Sequence, residues 1–415
     1  MILRARLILP ITAPPIEDGA VFIEGQRIRA VLPYADLPAT AQKKVLDLGE
    51  VILLPGLINA HCHLDYTDMA GQLPPPKTFT DWIGAITAMK GSWSYSDFAH
   101  SWLHGAQQLL KTGTTTVADI EALPELLSEV WDSTPLRVIS FLEMTGIKSG
   151  RPPKDILAEA LKTMGAMHHP HHRVGLSPHA PYSTRAELLQ LTARVSRQRK
   201  IPVSIHVAES VQEFEMFHYA KGAMHDWLAR NARDNSDCGH GSPIAHLARN
   251  RLLGEHVLAI HVNYLARGDA TLLAKNHTHV VHCPRSHDYF KHVPFEHERL
   301  ANAGVNICLG TDSLATVRKT GRHKPELDMF AEMRMLASRD KNISAREIVQ
   351  MATVNGARAL GLAKLAGELA KNAHADVIAI PFRGKTAEVW EGVVEHTGDV
   401  SASLIGGRWA LPPGN

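Results

Sequence analysis

The sequence predicts an α/β fold: a (β/α)8 barrel with a small β-sandwich domain built from both chain ends. Two observations carry this reading. Eight short apolar, β-branched runs recur through the middle of the chain, each followed by a helical stretch, which is the pattern of parallel βαβ units. The two ends instead alternate apolar and polar residues around glycine-containing turns, the pattern of strands and hairpins.

The eight runs cover residues 51–58, 114–120, 136–142, 173–176, 202–205, 257–260, 279–281 and 305–309. Six of the eight lead into His or Asp: His61, His179, His206, His261, His282 and Asp312. Buried parallel strands read as continuous apolar runs, so a polar residue after the run stands at the barrel mouth, where barrel enzymes place their chemistry. Helical stretches such as 184–198 and 325–337 lie between the runs. Residues 221–250 are too long for an ordinary barrel loop and either cover the mouth or run over the surface. The last helices fall in 343–362, with Ser344 and Glu347 spaced as a capping box. Turns are expected at Asp18-Gly19, Glu24-Gly25, Arg383-Gly384 and Gly406-Gly407. The resulting division is 1–54 and 365–415 for the sandwich and 55–364 for the barrel.

Composition narrows the function classes. A net charge of +2 with no basic block argues against nucleic acid and anionic membranes as partners, leaving a small-molecule substrate. No apolar stretch reads as a signal peptide or a membrane span, and arginines interrupt the N-terminal apolar residues before Pro10. The four cysteines, Cys62, Cys238, Cys283 and Cys308, have neither metal nor redox spacing, which fits a reducing, cytoplasmic compartment. Among 25 histidines, the cluster His168, His169, His171 and His172 reads as a solvated turn.

The metal signal lies at the strand ends. In His61-Cys62-His63 the two imidazoles share one face of an extended segment and can reach one ion, with Cys62 pointing the other way. His206 adds a third nitrogen and Asp312 a carboxylate oxygen. Three nitrogens, one oxygen and an open position suit one divalent hydrolytic ion, zinc first, with iron or manganese as alternatives. Such an ion lowers the pKa of its water from ~15.7 toward ~7. Glu209, three residues after His206, is placed to exchange protons if its pKa is raised toward neutrality.

The segment Leu54-Pro55-Gly56-Leu57-Ile58-Asn59-Ala60-His61-Cys62-His63 resembles the first-strand motif of the amidohydrolase superfamily, in its cytosine-deaminase and chlorohydrolase-like branch. Gly367 to Asp376 is similar to that family's return into the sandwich domain, so the resemblance spans nearly the whole chain. It implies a mononuclear metal on the residues matching His61, His63, His206 and Asp312. The fourth strand ends Ser177-Pro178-His179, without the lysine that bridges two metals in other members. The resemblance further implies that Glu209 shuttles protons and that His261 hydrogen-bonds the attacking water or serves as a fifth ligand. Asp312 would assist deprotonation, and His179 would contact the substrate ring or leaving group.

Trp82 and Phe79 either stack on a heteroaromatic ring or belong to the core. Glu143 ends the third strand and is a further substrate contact. Arg285, Ser286 and His287 stand where relatives more often have Asn-Pro-x-Ser-Asn, and Ser313 stands where glycine or alanine is common; Arg285 is read as a substrate contact particular to this chain. The implied reaction is hydrolytic deamination of an adenosine-like nucleoside, such as methylthioadenosine, adenosylhomocysteine or aminodeoxyfutalosine. Guanine deamination, triazine dechlorination and cyclic-amide opening on the same centre are the alternatives, and a metal scaffold without turnover is a third class. Relatives are often homo-oligomers.

Overall fold

The computed structural model describes residues 1–147, 150–319 and 324–414. The N-terminal strands are β1 (Ile2–Ile8), β2 (Ile16–Glu24), β3 (Arg27–Pro33), β4 (Val45–Asp47) and β5 (Val51–Pro55). The barrel strands follow as β6 (Leu57–Cys62), β7 (Thr114–Glu121), β8 (Arg137–Glu143), β9 (Arg173–Ser177), β10 (Val203–Val207), β11 (Val257–His261), β12 (His279–His282) and β13 (Ile307–Leu309). The chain then returns to the first sheet as β14 (Val377–Pro381), β15 (Ala402–Ile405) and β16 (Arg408–Leu411).

The barrel strands pair in sequence order from β6 to β13, all parallel. An isolated parallel bridge between Cys62 and Asp312 joins the two edge strands. The second sheet runs β16-β15-β14-β5-β1-β2-β3, with β4 on β1, so both chain ends share one hydrogen-bonded path. Its alternation has the expected consequence. Val51, Leu53, Val377 and Ala379 bury into the domain's own core, while Ile52, Leu54, Ile378 and Ile380 face the large core around the barrel.

Three local expectations change. The run 51–58 is two strands, not one: β5 pairs antiparallel with β14, and the chain breaks at Gly56 before β6 opens the barrel. A Cβ at Gly56 would stand 2.1 Å from Thr115, so only glycine fits where the two domains meet. Asp18-Gly19 is no turn but lies inside β2, where Asp18 pairs with Arg4 of β1 at 2.6 Å. Finally, the C-terminal part 365–415, expected to hold strands and hairpins, contains a helix, Val389–Val394, whose Val389, Val393 and Val394 bury one face at helical spacing. The capping box of Ser344 and Glu347 forms as expected. Among the described residues no helix is long and apolar enough to cross a membrane.

Candidate active site and metal centre

The site forms at the seam that closes the barrel. The amides of Thr311 and Asp312 both donate to the His61 carbonyl, at 3.0 and 3.1 Å. Asn59 locks the same seam: its Nδ2 donates to Thr311 Oγ1 at 2.8 Å and its Oδ1 accepts from the Thr311 amide at 3.0 Å. A Cβ at Gly310 would lie 2.8 Å from the His61 carbonyl oxygen, so the close approach of β13 to β6 requires glycine. The motif residues around the ligands therefore have structural roles of their own.

Backbone irregularity aims the ligands. Along β6, Ile58 and Ala60 face the inner core cluster, and strict alternation would turn His61 outward. The register with β7 shifts between Asn59 and Cys62, as at a β-bulge, and reverses that alternation. Cys62 consequently packs into the outer core while His61 and His63 reach the centre. The residues Ala208 (φ 51°), His261 (φ 73°), Val262 (φ 51°) and Asp312 (φ 55°) adopt left-handed backbone at the mouth. Such conformations cost of order 1–3 kcal/mol each and persist where the surrounding structure enforces them.

Two overlapping groups of donor atoms converge: His61, His63 and His206, and His61, His261 and Asp312. The Nε2 atoms of His63 and His206 are 3.3 Å apart, and Asp312 Oδ1 is 3.5 Å from His61 Nε2 and 3.7 Å from His63 Nε2. Both ring nitrogens of His61 and Nε2 of His261 are buried without a hydrogen-bond partner. The His179 carbonyl accepts from His206 Nδ1 at 2.9 Å, which leaves Nε2 with a free lone pair toward the centre.

Electrostatics agree with this. Burial and the neighbouring His61 lower His63 to about 3, and burial lowers His261 to about 3 against the pull of Asp312. Burial pushes the Asp312 carboxyl up, but the neighbouring His61, His261 and His63 outweigh that and hold it well below the usual range. A buried carboxylate ringed by imidazole nitrogens, several of them lacking protein partners, fits a divalent cation.

Glu209 is 4% exposed, and its Oε1 lies 3.6 Å from His261 Nε2. Burial, then the charges of Asp312 and Glu213, raise its carboxyl well above the usual range. A cavity of about 350 Å3 opens from the centre, with His63, His206, Glu209 and Asp312 at its floor. His179, Trp82 and Glu143 line it, and so does Ser313. His179 is oriented by Ser183 Oγ, 2.5 Å from its Nδ1. Phe79 is buried behind Trp82, the ring centroids 5.6 Å apart, and is core.

Arg285 does not reach the cavity. Its guanidinium donates to the Glu326 carbonyl at 2.7 Å and sits 3.7 Å from Glu332, whose carboxylate also accepts the Arg285 amide at 2.8 Å. The turn after β12 directs this side chain to a neighbouring helix, so the expected substrate contact is replaced by a structural one. The histidine cluster is only partly solvated: His172 is buried and bonded to the Val138 amide and the Trp131 carbonyl, both at 3.2 Å.

Other lining residues carried no local signal. Tyr66 stacks on His63 at 5.1 Å, and Lys90 lies 4.8 Å from the Tyr66 ring centroid. Trp227 and Leu228 come from the 221–250 insertion, which therefore covers part of the mouth. Arg233 ties the insertion down by donating to the Tyr182 and Pro181 carbonyls at 3.1 and 3.2 Å.

The amidohydrolase family model matches residues 52–409. The chain belongs to the amidohydrolase family. Within this family it is 29% identical over 424 residues to a 5-methylthioadenosine/S-adenosylhomocysteine deaminase of Syntrophobacter fumaroxidans, covering 95% of this chain and 88% of the relative. The fold is similar to that of the Helicobacter pylori aminofutalosine deaminase in complex with methylthio-coformycin. That comparison has a TM-score of 0.86 and 20% identity, over 99% of this chain and 100% of that one. It is also similar to an adenosine deaminase of Xanthomonas campestris with bound zinc, with a TM-score of 0.82 and 23% identity over 99% and 92% of the two chains. The amidohydrolase resemblance is borne out, and so are the (β/α)8 barrel and a second, β unit built from both chain ends, whose strands form one hydrogen-bonded sheet.

Proposed function

We propose that this amidohydrolase deaminates an aminated purine nucleoside by hydrolysis, releasing ammonia. The observation that carries the reading is a buried Glu209 beside His261, at the floor of an aromatic-walled cavity that Asp312 also lines. His61, His63, His206 and Asp312 would hold one divalent ion, zinc in the first instance, as in the Xanthomonas structure. When bound, that ion supplies Lewis acidity that makes hydroxide available near neutral pH.

The side chains account for the proton balance. Water adds its oxygen to the amino-bearing ring carbon. Glu209 takes a proton from the water and delivers it to the ring nitrogen. The carbon–nitrogen bond then breaks as the amine receives the second proton of the water. His261 and Asp312 would orient the attacking oxygen, and His179 lines the cavity in which the ring would sit. Trp82, Tyr66 and Trp227 offer apolar faces for a flat ring, and Glu143 offers hydrogen-bond acceptors for hydroxyl groups. The relative from Syntrophobacter and the aminofutalosine deaminase point to 5′-substituted adenosines as substrates. Four free, buried cysteines suit a reducing, cytoplasmic setting.

The test is ammonia release from 5′-methylthioadenosine, S-adenosylhomocysteine and aminodeoxyfutalosine, with metal content measured on the same sample. Glu209→Gln should lower kcat roughly 100-fold or more while keeping the metal. Wild-type turnover by that variant would remove Glu209 from the chemistry. Chloride or a ring-opened acid as product, with no ammonia from any nucleoside, would overturn deamination.

A further inference from the structure

We infer that Asn263, His287 and Glu213 act as positioning residues that clamp the backbone of Glu209; this rests on the reading of Glu209 as proton carrier. Glu209 lies beyond the end of β10, after the left-handed Ala208 (φ 51°), so β-sheet pairing does not hold it. Its two backbone groups are held by side chains instead. The Glu209 amide donates to Glu213 Oε2 at 2.9 Å, and the Glu209 carbonyl accepts from Asn263 Nδ2 at 2.9 Å. The Asn263 amide adds a bond to the Ala208 carbonyl at 3.0 Å, and the Val262 amide one to Val207 at 3.1 Å.

His287 completes the clamp. Asn263 must present its NH2 to the Glu209 carbonyl, because a carbonyl only accepts. Its Oδ1 therefore faces His287 Nδ1, 3.0 Å away, and the imidazole must be the donor there. That bond fixes the amide so that it cannot flip. Glu213, Asn263 and Glu209 are all at least nine-tenths buried, so water does not compete for the two side-chain bonds to the Glu209 backbone. The unusual His287 of the sequence thus has a place: it acts on the proton carrier through Asn263 and not on substrate. A shift of the Glu209 carboxyl by a fraction of an ångström should slow proton transfer while leaving the binding walls of the cavity intact.

The zinc-loaded enzyme tests this with His287→Phe, His287→Asn and Asn263→Ala. His287→Phe and Asn263→Ala should lower kcat roughly 10- to 100-fold, with KM on 5′-methylthioadenosine changed less than about threefold and metal content unchanged. His287→Asn places an amide N–H near the lost Nδ1–H and should recover most of kcat. Independently of any substrate, amide hydrogen exchange across 207–213 should speed up in His287→Phe and return toward wild type in His287→Asn. Full kcat in His287→Phe beside an inactive Glu209→Gln would overturn the clamp alone. Unchanged exchange at 207–213, or a failure of His287→Asn to restore kcat and exchange, would overturn it as well. Wild-type turnover by Glu209→Gln would instead overturn the proton-carrier reading and take the clamp's catalytic role with it.

Discussion

At the scale of single residues, the candidate ligand set is aimed by neighbours outside that set. The His179 carbonyl selects the tautomer of His206, and Thr316 Oγ1 donates to Asp312 Oδ2 at 3.2 Å, leaving Oδ1 toward the histidines. Such outer partners typically contribute 10- to 100-fold in metal affinity. Thr316→Val keeps the shape and removes the donor. It should weaken metal binding roughly 10-fold or more, measured by competition with a chelator. Full removal of metal should abolish ammonia release, and added zinc should restore it. The ligands were legible because His, Asp and Glu after apolar runs are rare enough to stand out, and because His61-Cys62-His63 sits within a longer motif. Asn59, Asn263 and Thr316 were not, since each is an ordinary polar residue until its partner is known.

At the scale of elements, the helix Pro284–Phe290 and the helix Met329–Arg339 are joined through Arg285 and Glu332. Burial lifts the Glu332 carboxyl to about 8, although Arg285 opposes it. An acid whose pKa is raised on folding contributes stability that is complete below its unfolded value of ~4.3. That contribution is lost as pH rises through about 8. Burial likewise raises Glu213 to about 8 and Asp119 to about 7, with the same sign. Glu332→Gln, which cannot titrate, should flatten the fall in stability between pH ~5 and about 8, seen by denaturant unfolding across pH. An identical slope in wild type and variant would show that Glu332 ionises in the folded state as it does in the unfolded. Element type was read correctly wherever period and length agreed, as in the barrel strands. The helix Val389–Val394 was missed because its valines also fit a β-rich stretch, and only packing separates the two periods over six residues.

At the scale of the molecule, the two domains are stapled by a buried ion pair. Arg137, at the start of β8, binds Asp376 through two bonds of 2.7 and 3.2 Å, and Asp376 also accepts the Gly406 amide at 2.7 Å. The pair is less than a tenth exposed. Asp376→Ala would leave a buried, unpaired guanidinium and should cost about 3–5 kcal/mol, measured by reversible unfolding. The surviving folded protein should bind metal normally, since the staple connects to the end of the barrel opposite the site. This gives a physical reason for the segment ending Ala375-Asp376 that the sequence marked only by resemblance.

The sequence by itself determined the order of the barrel strands, the residues that could hold a metal and the acid beside them. Those follow from apolar period and from polar residues at strand ends, both of which are local properties. The tertiary structure alone decided which way those residues point. The bulge in β6 turns His61 inward against its own alternation, the left-handed turn at His261 does the same for β11, and Arg285 swings to a helix instead of the cavity. Side-chain direction depends on register and on bonds between residues far apart in the chain, such as Asn59 with Thr311 and Asn263 with His287, and no local pattern encodes those pairings.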